Sequence, residues 1–109
     1  MAAEYKPMRI IVMFDLPNTE KEENKSYRIF HDDLIRNGYI MMQFSIYVKC
    51  VNVTTKIDNE INKIRKHLPK EGNIRVLSIT EKQYNSMKLI LGNQNINEIY
   101  NNAERFTKI

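Results

Sequence analysis

The sequence predicts a single α+β domain in the order strand, helix, strand, strand, helix, strand, with one further short strand near the C-terminus. Three observations carry this reading. Apolar or alternating runs occupy residues 8–14, 39–51 and 74–80; two stretches of helical periodicity lie between them; and turn residues stand at the junctions. With 109 residues there is room for one core and not for two.

Met8 to Phe14 (MRIIVMF) is an almost continuous apolar run, stopped by Asp15-Leu16-Pro17-Asn18. A strand without clean alternation is covered on both faces, so something must lie opposite the helices. Thr19 with Glu22 fits a capping box. Tyr27, Phe30, His31, Leu34 and Ile35 then recur at helical spacing until Asn37-Gly38 stops the first helix. Its other face, with Lys25, Arg28, Asp32, Asp33 and Arg36, reads as solvated.

From Tyr39 to Val51 the period becomes two. Phe44, Ile46, Val48 and Cys50 fall on one side, and Gln43, Ser45, Tyr47 and Lys49 on the other. The run is long for one flat strand, so it reads as two strands or one bent strand, broken near Gln43 to Ser45. The second helix is expected over Asn52 to Leu68, where Ile57, Ile61, Ile64 and Leu68 repeat before Pro69 and Gly72 end it. Ile74 to Thr80 is the next strand, and Met87 to Leu91 (MKLIL) the short additional one.

This order is that of a ferredoxin-like βαββαβ sandwich, with helices on one face of the sheet and the other face open. The apolar first strand implies that a second copy covers the open face in a two-fold dimer, which would also help so small a domain bury enough surface. Residues 1–92 are read as the domain. Residues 93–109 are read as a tail, polar and rich in asparagine but punctuated by Ile96, Ile99, Tyr100, Phe106 and Ile109, either disordered or a partner-docking segment that folds on contact.

Composition narrows the function classes. Apolar content of 42% and charged content of 28% are those of a soluble globular chain, as is the mean hydropathy of −0.52. No apolar run reaches the length of a membrane helix, and the leader MAAEYKP lacks a signal peptide's apolar stretch, so a cytoplasmic protein is expected. A single cysteine, Cys50, excludes an intramolecular disulfide and a cysteine-based zinc site. Cys50, His31 and His67 are expected in packing or surface roles. The net charge of +4 and pI near 9.2 favour a polyanionic partner. No Gly-rich phosphate loop, Ser/His/Asp set or HExxH motif is present.

Asp15 is the candidate for chemistry. A carboxylate at the end of an apolar strand, beside a Pro turn, is firmly held. It fits either a Mg²⁺ ligand, completed by the same residue of a second copy, or a turn-capping Asp that bonds nearby amides. Lys21, Lys25 and Arg28 on the first helix, with Lys49 on the middle strand, fit either a phosphate-contacting stripe or an ordinary solvated face interrupted by Glu20, Glu22 and Glu23.

Taken in order, MRIIVMFDLP, KSYRIFHDDLIRNG, YIMMQFSIYVKC and NIRVLSITEKQYNSMKLILG resemble the second CRISPR-associated adaptation protein, a family of small endonucleases, most closely in its type II form. The likeness runs over residues 8–92. It implies a homodimer that bridges two dimers of the CRISPR integrase subunit and carries the double-stranded DNA protospacer across its surface. By the same resemblance Asp15 is the catalytic residue and Mg²⁺ ligand, Gln43, Ser45 and Tyr47 support the site and the dimer face, and Lys21, Lys25 and Arg28 contact the DNA backbone. The tail after Gly92 corresponds to the region that docks on the integrase. Two roles follow: a metal-dependent nuclease resting on Asp15, and a DNA-bridging module. Outside this family, the same pattern fits a stand-alone ferredoxin-like RNA-cleaving toxin or an RNA-binding protein.

Overall fold

The computed structural model describes residues 6–16, 21–52 and 57–93, with side chains throughout except at 21–24. The elements are β1 (Pro7–Asp15), α1 (Lys21–Arg36), β2 (Ile40–Gln43), β3 (Ile46–Asn52), α2 (Ile57–Arg65), β4 (Asn73–Thr80) and α3 (Glu81–Asn85). Four strands form one antiparallel sheet in the order β2-β3-β1-β4. With two helices in sequence between β1 and β2 and between β3 and β4, this is the expected ferredoxin-like arrangement.

β1 is central because it pairs on both sides, with Ile11 opposite Val48 on one flank and Leu77 on the other. A strand's side chains alternate. Its even residues Ile10, Val12 and Phe14 pack with Tyr47, Val51, Phe30, Leu34, Tyr39 and Ile64 into the main core. On the opposite face Ile11 packs with Val48 and Tyr84, flanked by Met13, Ile40, Met42, Ile46 and Ile79. The unbroken apolar run of β1 is thus explained by cover on both sides, and part of the second cover comes from α3 of the same chain.

That face also holds Arg9, only 1% exposed. Its Nε and Nη2 donate to Glu81 at 2.6 and 2.8 Å, and its guanidinium lies 4.2 Å from the Tyr84 ring centre. Burial alone would lower the Arg9 pKa, but the bond and charge of Glu81 outweigh it and keep the group protonated. α3 opens with a capping box, in which Thr80 Oγ1 accepts from Gln83 N and Gln83 Oε1 accepts from Thr80 N.

α1 ends at Arg36, and the expected stop follows at Asn37-Gly38, where the positive φ of 93° at Gly38 lets Tyr39 N return to Leu34 O at 3.0 Å. Ile35 is half-exposed, although its spacing put it with the core. The expected cap at Thr19 lies outside the described residues. The break in the long alternating run is the Phe44-Ser45 turn, as expected.

Two expectations are corrected. α2 is shorter than Asn52 to Leu68: Asn52 closes β3, residues 53–56 lie outside the described residues, and the helix ends at Arg65. Beyond it the turn tightens to Lys66 N bonding Lys63 O, because Pro69 disfavours helical geometry at Leu68, which is left half-exposed. Met87 to Leu91 is no strand. α3 turns the chain back over the second sheet face toward Met42 and Gln43, where MKLIL finds no ladder partner among the described residues. Leu89, Ile90 and Leu91 are 61%, 93% and 91% exposed. The tail from 94 onward lies outside the described residues, and no helix among those described is long and apolar enough to cross a membrane.

Candidate functional site

Asp15 is the last residue of β1, paired in register with Asn73 at the start of β4, and it is exposed although the strand behind it is buried. The β2–β3 turn is fastened to the same place, since Phe14 N donates to Ser45 O at 3.1 Å. Ser45 holds this turn with φ of 65°, a left-handed conformation that costs a non-glycine residue free energy. Asp15, Phe44, Ser45, Asn73 and Arg75 line an open cavity of about 310 Å³, floored by Met13, Phe14 and Ile46. Asp15, Ser45, Asn73 and Arg75 therefore stand around one sheet end, at a cavity whose surface is mainly apolar.

Aromatic packing stiffens this end from the helix side. Tyr47 is fully buried and stacks on Phe14 at 5.5 Å between centroids. The Tyr47 hydroxyl shares hydrogen bonds with His31 Nδ1 and the Tyr27 hydroxyl. Burial, then the bond and charge of Tyr27 and the charge of Asp32, push the Tyr47 phenol well above its ordinary value, so it stays neutral.

The structure brings together Asp15 and Ser45, with Gln43 exposed at the end of β2 just before the turn. Tyr47 stacks on Phe14, the residue before Asp15, and points to the helix side, so it does not reach the open face. Lys25 and Arg28 are exposed on α1, three residues apart and hence on one side of it. The Lys21 side chain is outside the description. Lys49 is set apart: it pairs with Ile10, five positions from Asp15 along β1 and hence roughly 17 Å away. Its Nζ donates to Glu60 Oε1 at 2.9 Å.

Glu60 is buried and also takes bonds from Lys63 Nζ at 3.2 Å and the Tyr39 hydroxyl at 3.3 Å. Burial alone would raise its pKa, but the hydrogen bonds and charges of the two lysines hold the carboxyl below the usual carboxylate range. Cys50 is a buried thiol whose pKa burial raises. His67 lies at 3.6 Å from buried Asp33, bracing the end of α2 against α1.

Sequence reasoning missed Asn73 and Arg75. Their place follows from the β1–β4 register, in which Asp15 faces Asn73 and Met13 faces Arg75. No group of three or more His, Cys, Asp or Glu residues suited to a metal occurs among the described residues. The cavity supplies one carboxylate per chain. That suits Mg²⁺, which keeps most of its waters and takes only one or two protein carboxylates, and does not suit a closed all-protein cage.

A family model for CRISPR associated protein Cas2 matches residues 8–87, spanning β1 through α3. The chain belongs to the Cas2 family. Relatives of this Cas2-family chain bear the name CRISPR-associated endoribonuclease Cas2. The one from Ligilactobacillus salivarius is 46% identical over 99 residues, covering 90% of this chain and 96% of the relative. That from Treponema denticola is 43% identical over 98 residues, with 90% and 96% covered. That from Campylobacter jejuni is 41% identical over 104 residues, covering 95% of this chain and 73% of the relative. The resemblance read from the sequence is therefore shown. The family match sets aside a stand-alone protein outside this family, while the RNA-cleaving part of that reading agrees with the endoribonuclease name the relatives carry.

Proposed function

We propose that this Cas2-family chain acts in CRISPR spacer acquisition as a homodimer that bridges integrase dimers and holds protospacer duplex DNA, with Asp15 as the residue for Mg²⁺-dependent phosphodiester chemistry. The observation that carries the proposal is the exposed Asp15 carboxylate at the end of an otherwise buried strand, in one cavity with Ser45, Asn73 and Arg75. A backbone phosphate passing this cavity meets Arg75 as a donor, while Lys25 and Arg28 offer charge along α1 without reading sequence. Asp15 would hold the Mg²⁺ together with the same residue of the second copy. When bound, that ion neutralises phosphate charge and acidifies water. The ladder to Asn73 and the stack of Phe14 on Tyr47 hold the backbone that carries Asp15.

Dimerisation is supported by the apolar second face and by the exposed Leu77, Leu89, Ile90 and Leu91. RNA cleavage is the second reading, favoured by the endoribonuclease name that the relatives carry. Both readings are tested by reconstituting the chain with the candidate integrase, labelled duplex DNA and labelled single-stranded RNA, comparing wild type, Asp15→Ala and a chain truncated after Gly92. The bridging role requires truncation to abolish spacer integration and Asp15→Ala to leave it intact. Mg²⁺-dependent cleavage lost in Asp15→Ala assigns the chemistry, and RNA cleavage alone would favour the second reading.

A further inference from the structure

Between α2 and β4 the helix side of the sheet is left partly open. Ile61, Ile64, Leu68, Ile74 and Val76 line a groove there of about 370 Å³, to which Arg65, Lys70 and Glu71 add a net positive charge. Leu68 is half-exposed on it, and Ile74 and Val76 are only partly buried although both pack on the main core. β4 is an edge of the sheet, so among the described residues no neighbouring strand carries cover over this flank. Residues 94–109 lie outside the described ones, and their sequence supplies a matching face. Ile96, Ile99, Tyr100 and Ala103 recur at the i, i+3, i+4, i+7 spacing of an apolar helix stripe, and Phe106 extends it by three. Glu104, four residues after Tyr100, borders that stripe with a charge opposite to that of Arg65 and Lys70.

Reach decides which copy supplies the stripe. Asn93 lines a cavity with Met42 and Gln43 at the β2 edge, whereas the groove lies at the β4 edge on the other face of the sheet. Three strand spacings, roughly 14 Å, separate the two edges before the thickness of the sheet is added. Ile96, three residues past Asn93, extends at most about 11 Å beyond it. A chain therefore cannot lay Ile96 in its own groove. We propose that the Ile96–Phe106 stripe of a second copy occupies the α2–β4 groove, with Glu104 against Arg65 and Lys70. This rests on the homodimer of the proposed function and names a segment that each copy gives to the other.

Cys50, the sole native cysteine, is buried, so introduced thiols report on their own neighbours. Full-length Leu68→Cys and Tyr100→Cys are mixed and treated with a mild oxidant, with folding checked by circular dichroism and oligomeric state by sedimentation. The expected result is a covalent two-chain species on a non-reducing gel, formed in the mixture and by neither variant alone. Its yield is expected to fall at least about fivefold when Ile96→Asp and Ile99→Asp are added to the Tyr100→Cys chain. A disulfide formed only within one chain, in the Leu68→Cys/Tyr100→Cys double variant, overturns the proposal and returns the groove to the chain's own tail. Dimers that sediment as such but yield no cross-link overturn it while leaving the homodimer standing. A chain that stays monomeric at every concentration removes the exchange and the homodimer together.

Discussion

Gly72 passes so close to Asp15 that a Cβ on it would lie 2.6 Å from the Asp15 carbonyl oxygen and 2.6 Å from Leu16 Cδ2. Its φ of 113° is in addition one that side-chain-bearing residues rarely adopt. The loop entering β4 therefore approaches the end of β1 only because residue 72 is glycine. Gly72→Ala is expected to destabilise the fold by roughly 1–3 kcal/mol from backbone strain, and to displace Asp15 from the cavity. Urea unfolding checks the first effect, and nucleic-acid affinity of the folded fraction checks the second.

Arg9 and Glu81 form an ion pair on the second sheet face, with Arg9 buried and Glu81 partly buried. Glu81→Gln, which takes a carboxylate charge away from a buried guanidinium, is expected to cost more than Arg9→Met, which removes the charge and keeps an apolar stem against Tyr84. Denaturant midpoints of the two variants and the double variant decide this. The order of the two single costs is the test.

Glu60 gives the fold an acid-sensitive joint between α2 and β3. Its carboxyl is held below the usual value, so the folded state binds its proton less readily than the unfolded chain does. The resulting stability is fully present above the ordinary carboxylate pKa of about 4.3 and is lost as pH falls through the lowered value. Glu60→Gln is expected to be less stable than wild type at neutral pH, with the gap closing below about pH 4. A gap that stays constant from pH 7 to pH 3 would show that the lysines do not act through charge.

Lys25 and Arg28 are exposed, so replacing both with alanine is expected to change stability by no more than about 0.5 kcal/mol. If both contact phosphates, nucleic-acid binding weakens and the slope of log affinity against log salt falls by about two. Titrations at several salt concentrations measure this. An unchanged slope would return both residues to an ordinary solvated face.

The element order was legible because apolar period is a local property: IIVMF, the Phe30–Leu34 spacing and the Asn37-Gly38 stop each declare themselves within a few residues. The capping box Thr80-Glu81-Lys82-Gln83 is equally local, yet only its Thr80 is read from the sequence, correctly as the end of a strand, and α3 goes unexpected. MKLIL looked like a strand because apolar character is local, while a ladder partner is not. Asp15 stood out as a strand end. Asn73 and Arg75 did not, since which residues face each other across β1 and β4 is set by tertiary register. Lys49 looked free because nothing in its own strand announces that α2 turns Glu60 toward it.

The account as a whole requires two copies joined through the second sheet face, presenting both Asp15 ends to one nucleic acid. Sedimentation equilibrium of the chain with a labelled duplex at low salt tests this most directly. The predicted species contains two chains, twice the 13.0 kDa of one, on each duplex, and it is lost when Ile90 and Leu91 are both changed to aspartate. A 13.0 kDa species that sediments independently of the duplex at high protein concentration would contradict the account.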